Sequence, residues 1–409
     1  MKLLALTYGT EGDTRPLAML CRALMTAGHE VMLLADGDTL GSARDHGVPH
    51  AALSGRIRDE LGVLVAGGQG IGATATGLAR LANAQTQSWM RQAADAAHGC
   101  DALIVSGLAA FVGLSVGEAL RIRIIGTGMI PISPTRAFAS PFLPPGKVPR
   151  LLNRASHRLV NSLVWRAFRK ATNQARQRVL SLRPRRALWT GHPMLYGVSP
   201  SLLPQPADWP AHTRLCGQWL APAAPWSPPP DLQAFLAAGE APIYFGFGSM
   251  VGFDAAAVLR AMMDAAAGRR VLLYPGWAGV PPIALPDSFF VVGDTPHDWL
   301  FPRTAMVIHH GGSGTSHSAC RAGVPSVVLP FAGDQPFWAH QLHRLGVAAR
   351  ALSAKGLDAA GLAWAIAFAG RADVRQNAGL LAGSMAAEDG TAVAVAEIES
   401  ILRDGARRS

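Results

Sequence analysis

Apolar residues along this chain gather into short continuous runs separated by stretches of helical periodicity. In the first half the runs are Leu3–Thr7, Val31–Ala35, Ala102–Ser106 and Ile122–Thr127, with helical spacing near 15–28, 73–98 and 110–120. Runs this short, apolar at consecutive positions, read as strands buried on both faces, and their alternation with helices predicts parallel strands joined by right-handed crossovers. The second half restarts the pattern with Ile243–Phe245, Val271–Tyr274, Phe289–Val292, Met306–Ile308 and Ser326–Leu329, followed by a helical C-terminal stretch. Between the halves, from Ser199 to Pro230, the texture becomes proline-rich and ends in APAAPWSPPP. Proline cannot continue a ladder and stiffens a connection. The expected organisation is an N-terminal doubly wound α/β domain over 1–205, a linker over 206–230 and a second such domain over 231–409, with ligands in the crevice between them.

The richest stretch is His309–Gln335, HHGGSGTSHSACRAGVPSVVLPFAGDQ. Glycines at 311, 312 and 314 permit close backbone approach, and the helix that follows points unpaired N–H groups and its positive dipole end at whatever sits there. That is an anion site, capped by the backbone of Ser313, Gly314 and Thr315, with His309 at the strand end as a further donor. Asp334 and Gln335 follow the next strand and belong at the same carboxyl edge, where a carboxylate beside an amide suits sugar hydroxyls. Phosphate and sugar side by side describe a nucleotide sugar. Metal binding by His309 and His310 is disfavoured because adjacent strand residues point to opposite faces and no carboxylate cluster accompanies them. His310 itself reads as a packed histidine.

PHDWLFPRTAMVIHHGGSGT followed by RAGVPSVVLPFAGDQPFWAHQL resembles the donor-binding signature of nucleotide-sugar-dependent glycosyltransferases of the GT-B fold, two Rossmann-like domains facing a cleft. The similarity is nearest to the branch of sterol glucosyltransferases and antibiotic-tailoring glycosyltransferases, and TYGTEGDTRPLAMLCRAL resembles the opening of that branch. The resemblance implies an inverting, metal-independent transfer from a UDP-sugar, with glucose as the implied sugar, to a hydroxyl of a lipophilic acceptor. It places Asp334 and Gln335 on the donor sugar, Ser249 on a phosphate, Trp277 and Thr295 near the nucleobase, and Gly9 and Thr10 near the diphosphate from the facing domain. Asp13 is implied as the base, since no histidine occurs between residues 1 and 28 to take that role. Each has a structural alternative: Ser249 and Asp13 as helix caps, Trp277 as core, Asp334 as the cap of the helix from Pro336. A nucleotide-sugar epimerase of the same fold and a non-catalytic donor-binding protein are the rival functions. GTEGD lacks the GxGxxG spacing of a dehydrogenase.

Composition adds three points. A chain of 409 residues with 49% hydrophobic and 16% charged positions fits two well-packed domains. Four cysteines without CxxC spacing, and an N-terminus too short in apolar residues for a signal peptide, suggest a cytoplasmic protein. The net charge of +10 is concentrated: no acid lies between Glu118 and Asp208, whereas Lys147–Arg186 holds twelve lysines and arginines. Leu151, Leu152, Leu159, Val160, Leu163, Val164 and Phe168 recur through it near helical spacing. The segment reads either as a solvated cationic helix or as a contact with an anionic membrane, and nucleic acid is disfavoured because no aromatic-interleaved basic patch accompanies the charge.

Overall fold

The computed structural model describes residues 1–57, 59, 71–220, 226–354 and 356–406. The first half contains β1 (Lys2–Leu6), β2 (Glu30–Asp36), β3 (His50–Leu53), β4 (Ala102–Val105), β5 (Arg123–Gly128), β6 (Met194–Tyr196) and β7 (Thr213–Leu215). They form one sheet in the order β3-β2-β1-β4-β5-β6-β7. The second contains β8 (Ile243–Gly246), β9 (Val271–Tyr274), β10 (Phe289–Val291), β11 (Met306–His309) and β12 (Ser326–Val328), ordered β10-β9-β8-β11-β12. Every pairing among the described strands is parallel. The central strands are buried on both faces, β4, β8 and β11 along their whole length, which is why they appear in the sequence as runs and not as alternations.

The two strand orders share one property that positions the site. Chain direction of growth reverses between β1 and β4 in the first sheet, and between β8 and β11 in the second. Loops leaving neighbouring strands at such a point diverge to opposite faces of the sheet and leave a crevice at the carboxyl edge. The segments after β1, β8 and β11 hold Gly9–Asp13, Ser249 and His310–Thr315 respectively.

Two elements depart from the sequence-based boundaries. β7 lies inside the segment read as linker and extends the first sheet, because Thr213–Leu215 precedes the densest prolines and its backbone pairs with β6. The C-terminal helix Gly390–Ala406 returns to the first domain, where Ala394, Ile398, Ile401 and Leu402 share a core with Leu3, Leu17, Leu20 and Leu24. Arg123 donates to the Ile401 carbonyl, Arg214 pairs with Glu397, and His29 Nε2 lies 3.2 Å from Glu399 Oε1. The crossing is tight: a Cβ on Gly217 would stand 2.9 Å from Gly390 Cα. A second tie spans the domains where the Ser199 N–H donates to His317 Nε2 at 3.1 Å and the Ser199 hydroxyl donates to Glu388 at 2.8 Å.

Candidate active site

On the first-domain side, the helix after β1 spans Glu11–Thr26 with Thr10 as its N-cap, so Asp13 lies in the first turn rather than ahead of it. The Asp13 carboxylate reaches back and Oδ2 accepts the Thr10 N–H at 3.0 Å. Gly9 makes room for it, since a Cβ there would stand 2.2 Å from Asp13 Oδ2. Burial pushes the Asp13 pKa up to about 6, against the lowering effect of the hydrogen bonds from Thr10. The capping alternative is therefore real, yet a cap with so high a pKa is also a better base than an ordinary aspartate.

On the facing side, the helix Ser313–Arg321 has Gly312 as N-cap, no side chain satisfying its first N–H groups and no acid in its first turn. Ser313, Gly314 and Thr315 thus form an open positive terminus at the crevice. A Cβ on Gly314 would meet nothing within 4 Å. Ser249 is not a helix cap: the next helix starts at Ala255 and is capped by Asp254, whose Oδ1 accepts the Ala257 N–H at 2.9 Å. Ser249 is half-buried in the loop between.

The histidine pair is arranged differently from the expectation. His309 ends β11 between Gly246 and Val328, is 0% exposed, and its Nδ1 accepts the Gly311 N–H at 3.1 Å. Burial holds its pKa down at about 3, so the ring is neutral, with the proton on Nε2. That nitrogen is buried without a partner among the described residues. His310 is the half-buried member, its ring lying over the two switch-point loops: a Cβ on Gly312 would stand 2.4 Å from its Nε2 and one on Gly248 3.5 Å from its Cε1. Burial holds it near 4, neutral as well. Period-two alternation allots one histidine to the interior and the next to the crevice, and the sequence alone does not say which. A histidine resting on two glycines was the available signal.

Asp334 and Gln335 open the helix Gln335–Arg344 after β12. Trp338 Nε1 donates to Asp334 Oδ2 at 2.6 Å, which fixes the carboxylate and accounts for the buried Trp338. Burial pushes Asp334 up to about 6, and the charge of Asp13, from the opposite domain, adds to the rise. Gln335 is turned inward: Oε1 accepts the N–H groups of Phe331 and Ala332 at 2.7 and 3.1 Å, and Nε2 donates to Met250 Sδ at 3.2 Å. Its amide shapes the loop that presents Asp334.

Trp277 follows β9 and packs, with Val251, against the first-domain core that contains Tyr8 and Trp89, while its backbone N–H donates to the Gly248 carbonyl at 2.9 Å. Thr295 Oγ1 donates to the Gly293 carbonyl at 3.0 Å. Between them lies a charged cluster missed from sequence: Tyr274 donates to Asp294 at 2.7 Å, and Arg15 and Glu11 of the first-domain helix act on Tyr274. Arg15 also acts on His297, which burial holds near 4. Charged groups of the first-domain helix thus lie close enough to Tyr274 and His297 to act on them.

Among solved structures, the glycosyltransferase SnogD from Streptomyces nogalater superposes with a TM-score of 0.63 at 24% identity, covering 98% of this chain and 99% of that one. The glycosyltransferase VinC, solved in complex with DTDP, gives 0.66 at 18% identity over 100% of both chains. The chain therefore has the GT-B fold of these proteins, two Rossmann-like domains facing a cleft. More narrowly, residues 278–401 match the erythromycin biosynthesis protein CIII-like C-terminal domain. Curated relatives are the sterol 3-beta-glucosyltransferases of Leptosphaeria maculans, 31% identical over 85% of this chain, and of Neurospora crassa, 30% identical over 99%. The chain spans 25% and 27% of the length of those two proteins.

Proposed function

We propose that this chain is an inverting, metal-independent glycosyltransferase that moves a sugar from a UDP- or TDP-sugar to a hydroxyl of a lipophilic acceptor such as a sterol, lipid or polyketide. The observation that carries this reading is the open Ser313–Thr315 terminus at the same sheet edge as Asp334, whose carboxyl feels the charge of Asp13 from the other domain, both carboxyls being pushed up to about 6. In this mechanism the helix terminus, Ser249 and His310 hold the diphosphate. Asp334, oriented by Trp338, accepts hydrogen bonds from the sugar hydroxyls. Asp13 takes the acceptor proton as the acceptor oxygen attacks the anomeric carbon from the face opposite the diphosphate. The bond to the diphosphate breaks, and the charge that develops on it is met by backbone N–H groups already in place. Four buried, free cysteines support a reducing, cytoplasmic setting.

The test is nucleotide release from a panel of UDP- and TDP-sugars, alone and with sterol, lipid and polyketide acceptors. Acceptor-dependent release with a β- or α-inverted glycoside by NMR is expected. An epimerised nucleotide sugar without acceptor would establish the epimerase instead. Tight donor binding with no turnover across the panel would establish a donor-binding protein.

A further inference from the structure

The helix Asn153–Leu180 buries one face through Val160, Trp165, Phe168 and Ala175, and its outer face is not the solvated cationic surface that charge alone suggests. Leu151 is 96% exposed, Leu159 59%, Leu152 53% and Leu163 52%. Leu152, Leu159 and Leu163 recur at a spacing that places them along one outward row. Exposed Arg158, Arg166, Arg169 and Lys170 flank or continue that row, with Lys147 and Arg150 at its start. Of the segment's twelve cations, Arg176 and Arg185 are ion-paired, both to Glu118, and no other ion pair involves the segment among the described residues.

We infer that this face is a docking surface for an anionic lipid bilayer, with the leucine row entering the interfacial region and the flanking arginines reaching the headgroups. Both halves of the surface are needed to choose the occupant. Cations attract any polyanion, but a nucleic acid offers nothing to an outward row of leucines. A second copy could cover leucines, but packing this helix on itself would bring unpaired arginines against arginines in an acid-free segment. A headgroup layer over acyl chains complements charge and apolar surface together. No helix among the described residues is long and apolar enough to cross a membrane, and the inferred contact is made by a helix face at the surface. The helix also holds the segment after β5: Asn161 donates to the Ile132 carbonyl at 3.2 Å, Asn153 to the Arg136 carbonyl at 2.9 Å, and His157 Nε2 lies 3.1 Å from the Phe138 carbonyl. Phe138 in turn touches Phe337 of the second domain, ring centroids 5.4 Å apart. If the chain transfers sugar to a lipophilic acceptor, the docked face lies beside the acceptor side of the cleft; this clause alone rests on that reading.

The experiment is sedimentation of the full chain with phosphatidylcholine vesicles, with and without phosphatidylglycerol, at low and high salt. It needs no catalysis, so it fails or succeeds independently of the transferase reading. Wild type should bind only the anionic vesicles. Arg158→Gln/Arg166→Gln/Arg169→Gln should lower partitioning about a hundredfold at low salt, at roughly fivefold per cation. Leu152→Ser/Leu159→Ser/Leu163→Ser should lower it at least about tenfold at both salt concentrations, with thermal unfolding unchanged because the side chains are exposed. Absence of wild-type binding at low salt overturns the inference, as does a leucine variant that binds like wild type. A wild-type dimer abolished by the leucine changes, without vesicle binding, would assign the face to a second copy.

Discussion

Two helices of this chain start at the crevice and meet it with opposite charge. Glu11–Thr26 carries Glu11 and Asp13 in its first turn and folds the Asp13 carboxylate onto its own N-cap N–H. Ser313–Arg321 has no acid and no side-chain cap there. The same dipole and the same unpaired N–H groups are thus answered from within the chain in one case and left for an external anion in the other. What differs is which residues surround the first turn. Gly9 yields space to a carboxylate on one side; on the other, Gly312 yields it to the His310 ring and Gly314 leaves it open. In the proposed mechanism the labour divides accordingly: the filled terminus holds the base, and the open one receives the leaving group.

The largest effect that would break this comparison is at the filled terminus. Asp13→Asn preserves shape and can still accept the Thr10 N–H, so nucleotide affinity by calorimetry should be unchanged while acceptor-dependent turnover falls at least ~100-fold. Retained turnover in a destabilised protein would reduce Asp13 to a cap. Next, Gly9→Ala intrudes on a carboxylate oxygen that would lie 2.2 Å from the new Cβ. Displacing the carboxylate should cost on the order of 30-fold in turnover, again with little change in nucleotide affinity.

At the open terminus the two histidines should separate cleanly. His310→Ala, at the crevice, should weaken nucleotide-diphosphate binding about tenfold with the fold intact. His309→Ala removes a fully buried ring and the acceptor of the Gly311 N–H, and should cost ~2–4 kcal/mol of stability by denaturant unfolding. The reverse pattern would exchange their roles. A smaller, graded effect is in pH. With Asp13 at about 6, turnover should fall tenfold per unit below that value, and the limb should be missing from Asp13→Asn. Stability has its own sign: Asp13 and Asp334 bind protons more tightly folded than unfolded, so acidification through about 6 favours the fold through them. His297, His309, His310 and His317 do the opposite, with folded pKa values of about 3 to 4 against an ordinary 6.5. Four outweigh two, so the thermal midpoint should drop as pH falls below about 6.5.

The comparison also explains what the sequence could and could not reveal. Strands buried on both faces are legible as apolar runs, and a glycine-rich turn between a run and a helix is legible as an open helix terminus, because both signals are local. Asp13, Asp334 and the Ser313–Thr315 terminus are therefore singled out from sequence, and in the fold Asp334 lies within electrostatic reach of Asp13. Parity in the histidine pair depends on where β11 stops pairing, which Gly246 and Val328 decide from two other strands. Gln335 reads as a sugar ligand in a motif, but its amide is turned to Phe331, Ala332 and Met250. The return of Gly390–Ala406 to the first domain rests on partners 183, 278 and 370 positions earlier and on the core they frame, beyond the reach of any local pattern. The leucines of Asn153–Leu180 leave two readings open in sequence because periodicity marks a stripe without saying whether protein covers it.

The most direct measurement is to give the open terminus the acid its counterpart has. Gly314→Asp introduces a carboxylate where a Cβ meets nothing within 4 Å, in a first turn where an acid stabilises a helix. Calorimetric titration with UDP and TDP, beside the thermal midpoint, reads both consequences. The expected result is a midpoint equal to or above wild type together with at least ~100-fold weaker nucleotide binding. Wild-type affinity in that stable variant would contradict the assignment of the diphosphate to this helix.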